Sequence, residues 1–296
     1  MTIGEALPDG GRPKGGRIAA GLHLVSTPIG AARDITLRAL DILAAADVLA
    51  AEDTRTLRHL MEIHGIAVAG RPMIAYHDHN GALARPRLIA ALKDGRSVAY
   101  ASEAGTPLVA DPGYQLARAA IAEGFAVLAA PGASAVLCAL TVSGLPSDRF
   151  TFLGFLPPKT TARKSALREV KEWGSSLIIY ESPHRVEACL RDLREVLGAE
   201  RQAAVCRELT KKFEEISRGT LADLAEAFTG RDVKGEVVIV VDRSPEIEIQ
   251  AEDVELALRQ ALATHSVKEA AAKVAEKFAM SKRDAYQMAL KMGKTE

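Results

Sequence analysis

Short apolar segments alternate with amphipathic segments along the first half of the chain. Five mostly apolar runs are four to six residues long, which is typical of buried strands. We predict strands at Leu22–Ser26, Val48–Ala51, Met73–Tyr76, Ser97–Ala101 and Phe125–Ala130. Helical spacing of apolar positions predicts helices at Asp34–Ala46, Leu83–Lys93, Tyr114–Glu123 and Ala133–Val142. This alternation predicts a mainly parallel sheet that is covered by helices.

An uncharged run extends from Gly124 to Ser147, and it is long enough to suggest a membrane-spanning helix. Pro131 and Gly132 interrupt this run, and a tight turn there would separate a strand from a short buried helix. We therefore predict two packed elements and no membrane association.

The second half of the chain begins with Phe150–Pro158, whose paired prolines predict a linker between domains. A second α/β unit is then predicted from elements at Leu177–Tyr180, His184–Leu197, Ala203–Glu208, Leu221–Phe228 and Glu236–Val241. Further on, Ser266 with Glu269 and Ser281 with Asp284 have the spacing of a helix capping box. Two short helices starting at these boxes predict a helix-turn-helix-like appendage.

These patterns divide the chain into four parts. A flexible tail covers residues 1–20, an N-terminal α/β domain 21–148, a C-terminal α/β domain 149–244 and the helical appendage 250–296. The chain has 296 residues, which is enough for this division. The predicted fold class is therefore α/β, with two α/β domains and a small helical appendage.

Composition narrows the classes of function. Lys and Arg together number 38, as do Asp and Glu, so any nucleic-acid contact must come from local basic patches. The three cysteines form no Cys-x-x-Cys pair, which disfavours a disulfide framework and favours a reducing, cytoplasmic compartment. An aromatic share of 4% disfavours an extended base-stacking platform.

Three loops rich in glycine and proline follow predicted strands, at Thr27–Gly30, Ser102–Gly113 and Pro131–Ser134. Ligands of open α/β sheets bind at the carboxyl ends of strands, where glycine lets the backbone approach closely. No Gly-x-Gly-x-x-Gly follows a strand and no Gly-x-x-x-x-Gly-Lys occurs, which disfavours the common dinucleotide and nucleoside-triphosphate sites. The loops predict either a site for another ligand or ordinary turns.

Eight motifs occur in order between Leu22 and Asp242. They are Thr27-Pro-Ile-Gly30, Ala51-Glu-Asp-Thr-Arg55, His77-Asp-His-Asn80, Gly105-Thr-Pro-Leu-Val-Ala-Asp-Pro-Gly113, Gly144-Leu-Pro-Ser-Asp-Arg-Phe150, Gly154-Phe-Leu-Pro157, Tyr180-Glu-Ser-Pro-His-Arg185 and Arg207-Glu-Leu-Thr-Lys-Lys212. Together they resemble the ribosomal RNA small subunit methyltransferase I family of the tetrapyrrole methylase superfamily. Two positions depart from the family's usual pattern, since Ala31 stands where asparagine is common and Glu103 where aspartate is common.

The resemblance implies an S-adenosylmethionine-dependent enzyme, usually a homodimer, with the cofactor between two α/β domains. It implies methyl transfer to the ribose 2′-oxygen of a cytidine in the decoding region of 16S rRNA, either free or in the small ribosomal subunit. Two alternatives stay open. One is a methyltransferase of the same fold acting on a porphyrin-like small molecule, and the other is a non-enzymatic RNA-binding or assembly factor.

Candidate site residues lie in or beside the motifs. We expect cofactor contacts from Pro28, Gly30, Ser102, Glu103, Ala104, Gly105, Pro107, Leu108, Pro131, Ala133, Ser134, Tyr180 and Glu181. The base for the 2′-hydroxyl, or a cation that stabilises its alkoxide, has candidates in Asp53, Arg55, Glu181 and Arg185, which could instead form ion pairs. We expect RNA contacts from Arg55, His77, Lys159, Arg163, Lys164, His184, Arg185, Lys211 and Lys212. His77 and His79 lack an evident third ligand, so we expect no metal.

Overall fold

The computed structural model describes residues 16–244, 251–278 and 280–292, and of residues 251 and 252 only the backbone. Residues 1–15 of the predicted tail, and residues 250, 279 and 293–296 of the predicted appendage, lie outside the described residues. Residues 16–20 precede the first strand and belong to no helix or strand. The chain forms two compact units, Met1–Ser244 and Pro245–Glu296.

The first sheet of the larger unit is parallel throughout. Its strands are β1 (Gly21–Val25), β2 (Val48–Ala51), β3 (Met73–Ala75), β4 (Ser97–Ala101) and β5 (Val127–Ala130). They lie in the order β3-β2-β4-β1-β5, and every pairing is parallel. Strands β2 and β4 are buried along their whole length, as expected where helices cover both faces. The prediction of a helix-covered parallel sheet is confirmed.

Helices α1 (Leu37–Ala45), α2 (Thr54–Ile63), α3 (Gly81–Lys93) and α4 (Tyr114–Ala122) pack against this sheet, and α5 (Ala135–Ser143) follows its last strand in the sequence. Helix α1 begins three residues later than predicted, because the Thr36 hydroxyl accepts a hydrogen bond from Ala39 N and caps the helix there. The uncharged run forms β5, a turn and α5, as predicted. Across the part of the chain that the structure describes, no helix combines the length and apolarity needed to cross a membrane.

The second sheet is mixed. Its strands are β6 (Phe150–Phe155), β7 (Ser176–Glu181), β8 (Gln202–Arg207), β9 (Glu215–Thr220) and β10 (Val237–Val241). They lie in the order β6-β7-β10-β8-β9, with β6 and β7 parallel and the other neighbours antiparallel. Its helices are α6 (Thr160–Val170), α7 (Val186–Leu197) and α8 (Leu221–Ala227), and a 3₁₀ turn at Pro183–Arg185 precedes α7.

The predicted linker at Phe150–Pro158 is wrong over most of its length. Residues 150–155 pair with β7 as an edge strand, and the prolines at 157 and 158 end that strand instead of separating two domains. Strand β9 was not predicted either. It is an edge strand with a largely polar sequence, so it carries little apolar signal.

Helix α5 follows β5 in the sequence but packs against the second sheet. Its side chains Val136, Ala139 and Leu140 are buried in one cluster with Ile178 of β7 and Val238 of β10. Full burial of a valine or leucine side chain stabilises the fold by about 1.5–3 kcal/mol, so this cluster substantially stabilises the packing of α5 on the second sheet. We propose residues 21–148 and 149–244 as the two domains built on these sheets.

The smaller unit is helical. It contains α9 (Ala251–Leu262), α10 (Val267–Lys277) and α11 (Lys282–Met292), packed around a core that includes Leu258 and Val274. The capping box of α10 is present, because the Ser266 hydroxyl accepts from Glu269 N while the Glu269 carboxylate accepts from Ser266 N. The predicted pair of short helices is therefore joined by a third.

Candidate functional site

A cleft of about 770 Å³ opens at the carboxyl ends of the first sheet and faces the second sheet. This volume lies within the range of about 300–1,000 Å³ that is usual for small-molecule sites. On one side, the lining comes from loops after β1, β2, β4 and β5. On the other side, it comes from the ends of β6 and β7, the loop after β8 and the start of β10. The predicted location at strand ends agrees with this position.

The glycine-rich loops are tied to one another. Thr27 and Gly105 exchange two backbone hydrogen bonds, with N···O distances of 3.0 and 3.1 Å. The Thr27 hydroxyl donates to the Ser102 carbonyl at 3.1 Å, and the Thr106 hydroxyl donates to the Ala133 carbonyl at 2.9 Å. These bonds join the loops after β1, β4 and β5 into one rigid wall of the cleft.

Backbone strain is concentrated beside the cleft. Among the described residues, five non-glycine residues have a positive φ, and four of them lie in two cleft loops. Leu108 (70°) and Ala110 (54°) lie in the loop after β4, and Glu208 (51°) and Thr210 (63°) lie in the loop after β8. Such conformations cost of order 1–3 kcal/mol each and are retained where the surroundings hold them, which is common at functional sites.

The loop after β8 reaches across to the loop after β1. Thr210 Oγ1 accepts a hydrogen bond from Ala31 N at 3.1 Å. Gly30 is needed at this crossing, since a β-carbon there would lie 2.5 Å from Thr210 Oγ1. Lys211 lines the cleft, and its ammonium lies 3.0 Å from Glu208 Oε1 and 3.1 Å from Glu236 Oε2. Partial burial works to lower the pKa of Lys211, but these hydrogen bonds outweigh burial and raise it.

Three carboxylates, Glu52, Glu103 and Asp111, line the first-sheet side of the cleft. Burial raises the pKa of Glu52, and the negative charges of Glu103 and Asp111 raise it further. Asp111 accepts hydrogen bonds from the Tyr100 hydroxyl and from Gly113 N, both at 2.8 Å, so it also holds its own loop in place. This side of the cleft therefore favours a cationic ligand and disfavours phosphate.

Asp53 and Arg55 form a local ion pair outside the cleft lining. Asp53 caps α2 by accepting from Arg55 N at 2.8 Å, and its carboxylate lies 2.7 Å from Arg55 Nη2. The hydrogen bonds from the Arg55 side chain lower the pKa of Asp53 to about 2. A carboxylate with so low a pKa is a weak base at neutral pH. The Arg55 side chain is 90% exposed, although its guanidinium is paired with Asp53.

Glu181 and Arg185 also pair, at the turn that follows β7. The buried Glu181 carboxylate accepts from Ser182 N at 2.7 Å and from Arg185 Nη2 at 3.1 Å. Arg185 Nη2 also donates to the Leu156 carbonyl at 2.8 Å, which ties the end of β6 to this turn. The pair thus stabilises the cleft wall, and Glu181 is part of the lining.

Arg163 is a predicted RNA contact that the structure contradicts. Its side chain is 2% exposed, and its guanidinium lies 2.6 Å from Asp192 Oδ2 in the α6–α7 interface. The neighbouring Lys164 is also engaged, with Glu195 Oε2 at 2.5 Å from its ammonium. A buried guanidinium cannot reach an RNA phosphate, so Arg163 is removed from the RNA-binding set.

The other predicted residues fall into two groups. Among the RNA candidates, the exposed residues are Arg55, Lys159, His184 and Lys212. His77 is half-buried just after β3, and its backbone N–H donates a hydrogen bond to Asn80 Oδ1. Among cofactor candidates, the lining contains Pro28, Gly30, Glu103, Ala104, Gly105, Ser134, Tyr180 and Glu181. Five other cofactor candidates lie outside the lining, namely Ser102, Pro107, Leu108, Pro131 and Ala133. Contact with cofactor or RNA stays a prediction for each remaining residue.

Several lining residues were not singled out from the sequence. Glu52 lies beside Asp53 in a recognised motif, and burial of Glu52 together with the pairing of Asp53 with Arg55 distinguishes the two carboxylates. Val237 and Val238 begin an antiparallel strand, so the cleft receives the start of β10 and not its end. Phe155 lies in the segment that the sequence predicted as a linker. The position of Glu52 at the end of a strand could have identified it as a lining residue. No local feature of the sequence indicates that the start of β10 lines the cleft.

Two family descriptions match this chain. Residues 21–225 match the Tetrapyrrole (Corrin/Porphyrin) Methylases, and residues 248–293 match the RsmI C-terminal HTH domain. The second match covers the predicted helix-turn-helix-like appendage.

Relatives similar to this chain include proteins named ribosomal RNA small subunit methyltransferase I. The protein from Mesorhizobium japonicum is 46% identical, covering 93% of this chain and 92% of its own length. The protein from Xylella fastidiosa is 48% identical, covering 74% of this chain and 80% of its own length.

Solved structures share the fold at lower identity. The methyltransferase CobJ has a TM-score of 0.57 and 19% identity, covering 76% of this chain and 95% of that one. Uroporphyrin-III C-methyl transferase from Thermus thermophilus, complexed with S-adenyl homocysteine, has a TM-score of 0.53 and 17% identity, covering 77% and 97%. These structures support the two-sheet fold of the larger unit.

Proposed function

The chain belongs to the tetrapyrrole methylase family, within the group of ribosomal RNA small subunit methyltransferase I, and on that premise we propose that it methylates small-subunit rRNA with S-adenosylmethionine. The finer proposal is methylation at the ribose 2′-oxygen of a cytidine in the decoding region of 16S rRNA. The observation that supports methyl transfer by this chain is the cleft, where the motifs after β1, β2, β4, β7 and β8 converge.

The chemistry of the lining fits S-adenosylmethionine. Ile29, Val109 and Val237 offer apolar surface for an adenine ring, and the tied loops offer backbone groups for its polar edges. Glu52 and Glu103 have charge opposite to the sulfonium and ammonium groups of this cofactor. When bound, the cofactor would supply an electrophilic methyl group.

We assign the role of base for the 2′-hydroxyl to Glu52. It lines the cleft, and burial together with neighbouring carboxylates raises its pKa, which makes it a stronger proton acceptor than an ordinary glutamate. Asp53 is a poorer candidate because its pKa is lowered to about 2. Glu181 and Arg185 act in this proposal by positioning the cleft wall.

RNA phosphates would be held outside the acidic part of the cleft. Arg55, Lys159, His184 and Lys212 are exposed, and an arginine fork suits a phosphate group. Contacts of this kind make binding weaken as salt concentration rises.

We also propose a cytoplasmic homodimer. Among the residues that the structure describes, no strand pairs with the outer edge of β5, and Leu128 on this strand is exposed, which is a feature that an interface would cover. Light scattering coupled to size-exclusion chromatography would give the molar mass of the protein in solution. A monomer at assay concentration would contradict the proposed homodimer.

The test of function is transfer of labelled methyl from S-adenosylmethionine to small ribosomal subunits from a strain that lacks the equivalent enzyme. Label at a cytidine 2′-oxygen, located by nuclease digestion and mass analysis, is the expected result. Cofactor binding without transfer to subunits or naked rRNA would instead favour a porphyrin-like small molecule as substrate. Absence of cofactor binding would favour a non-enzymatic RNA-binding role.

A further inference from the structure

An exposed aromatic ring stands in the wall of the cleft. Phe155 lines the cleft, yet 59% of its surface is exposed. A large apolar side chain usually loses water contact on folding, and uncovered apolar surface inside a cleft of this kind is typical of a ligand contact. The role described so far for the cleft does not account for this ring.

A β-bulge puts Phe155 in this position. The pairing of β6 with β7 shifts between Phe152 and Gly154, so Leu153 is an extra residue without a partner. In a regular strand, residues 152 and 155 would point to opposite faces, whereas one extra residue brings them to the same face. Gly154 accommodates the bulge with a φ of 64°.

Both rings of this face rest against one tyrosine. The ring centroids of Phe152 and Tyr180 lie 4.8 Å apart, and those of Phe155 and Tyr180 lie 5.7 Å apart, in T-shaped contacts. Such contacts fix the orientation of a ring. The exposed part of Phe155 is therefore a pre-oriented apolar surface.

The exposed face of Phe155 lies away from the point where the loop after β8 contacts the loop after β1 at Gly30. That crossing is made by the loop after β8, and three strand steps separate β8 from β6 in the sheet order. At about 4.8 Å for each step, Phe155 lies roughly 14 Å along the sheet from that crossing. The lining at the end of β7, the strand that pairs with β6, includes the uncharged Ser182 and Pro183, and the charge of Glu181 there is compensated by Arg185.

A planar, uncharged partner fits these surroundings. Nucleobases stack on phenylalanine rings in sites that act on unpaired nucleotides, whereas the carboxylates of this cleft disfavour phosphate. We propose that Phe155 stacks on the nucleobase of the target nucleotide, after that base has left its own stack in the rRNA. A base taken out of its stack leaves its ribose accessible from the cleft. This inference rests on the proposed function.

The test compares ring substitutions with a control on the same strand. Phe155→Ala and Phe155→Leu remove the aromatic face, and Phe155→Trp keeps one. Phe150→Ala is the control, because Phe150 lies at the other end of β6, is 42% exposed and is not part of the lining. Each variant is assayed for methyl transfer to small subunits and for binding of S-adenosylhomocysteine by calorimetry.

We expect Phe155→Ala and Phe155→Leu to lower kcat/KM for rRNA by about 5- to 150-fold, which is the range for loss of one base stack. Phe155→Trp is expected to retain more activity than Phe155→Leu because it keeps an aromatic face, Phe150→Ala is expected to keep wild-type activity, and cofactor affinity is expected to stay unchanged in every variant. Wild-type kcat/KM in Phe155→Leu would overturn the inference while leaving the function intact. Loss of cofactor affinity in Phe155→Ala would overturn it by assigning the ring to adenine. A wild-type protein that transfers no methyl to rRNA would refute the proposed function, and this inference with it.

Discussion

Replacing Arg163 separates a structural role from an RNA-binding role. The Arg163 guanidinium is buried, with its Nε 2.8 Å and its Nη2 2.6 Å from Asp192 Oδ2. It donates further hydrogen bonds to the Pro158 carbonyl and the Thr160 hydroxyl, both at 3.3 Å. Arg163→Met keeps a side chain of similar length but removes the charge, which leaves the buried Asp192 carboxylate without its main partner.

The magnitude follows from that uncompensated charge. Breaking a buried ion pair by removing one partner costs about 3–5 kcal/mol. The Lys164 ammonium, 3.7 Å from Asp192 Oδ1, compensates in part, so we expect a loss near 3 kcal/mol in the free energy of unfolding. For a domain of this size, each kcal/mol lowers Tm by about 2–4 °C, which gives a decrease of roughly 6–12 °C.

Urea titration and thermal unfolding measure this loss, and filter binding measures affinity for rRNA. The double variant Arg163→Met with Asp192→Leu should recover most of the stability, because apolar residues of similar volume often replace a buried pair without loss. Lys159→Ala is the exposed control, expected to weaken rRNA binding with little change in Tm. The reasoning is refuted if Arg163→Met unfolds like the wild type while its rRNA affinity falls.

Three further perturbations test the site and its surroundings. Glu52→Gln should lower kcat by about 100- to 10,000-fold and abolish the acidic limb of the kcat–pH profile, because a base with a raised pKa acts only once deprotonated; persistence of that limb would exclude Glu52 as the base. Gly30→Ala should cost about 1–3 kcal/mol in urea titration because its β-carbon meets the facing loop, whereas Gly174→Ala, facing open space, should cost far less; equal losses would contradict the crowding argument. Hydrogen bonds from Arg231 lower the pKa of Glu215 to about 2, so Glu215 contributes stability above the ordinary glutamate value of 4.5 that is lost as pH falls towards 2. Glu215→Gln should therefore lower Tm at neutral pH but not near pH 2, and an equal effect at both would disprove the linkage.

The fold was largely predictable because its signals are local. Buried parallel strands read as short apolar runs, so β1, β2 and β4 were predicted to within a residue at each end. Strand β9 was missed because its sequence is largely polar, whereas β6 has an apolar sequence and was misread because a pair of prolines follows it. Pairing with a distant neighbour decides whether such a segment becomes a strand.

The candidate site was predictable as a set of loops but not as a set of roles. Motifs in the sequence led to the loops that line the cleft, because these loops follow strands whose ends meet at one edge of the sheet. The sequence did not distinguish Glu52 from Asp53, because adjacent carboxylates differ only in where the chain directs them. Burial raises the pKa of Glu52, and the Arg55 side chain lowers that of Asp53.

The sequence by itself determined the two-sheet α/β plan, the helical appendage and the family, because hydrophobic periodicity and motifs are properties of local sequence. Tertiary structure alone decided which charged groups face solvent and which face one another. Arg163 and Lys159 look alike as basic residues after a proline pair, yet one is buried against Asp192 and the other is exposed. The physical reason is that desolvation and ion pairing depend on residues brought together from distant parts of the chain.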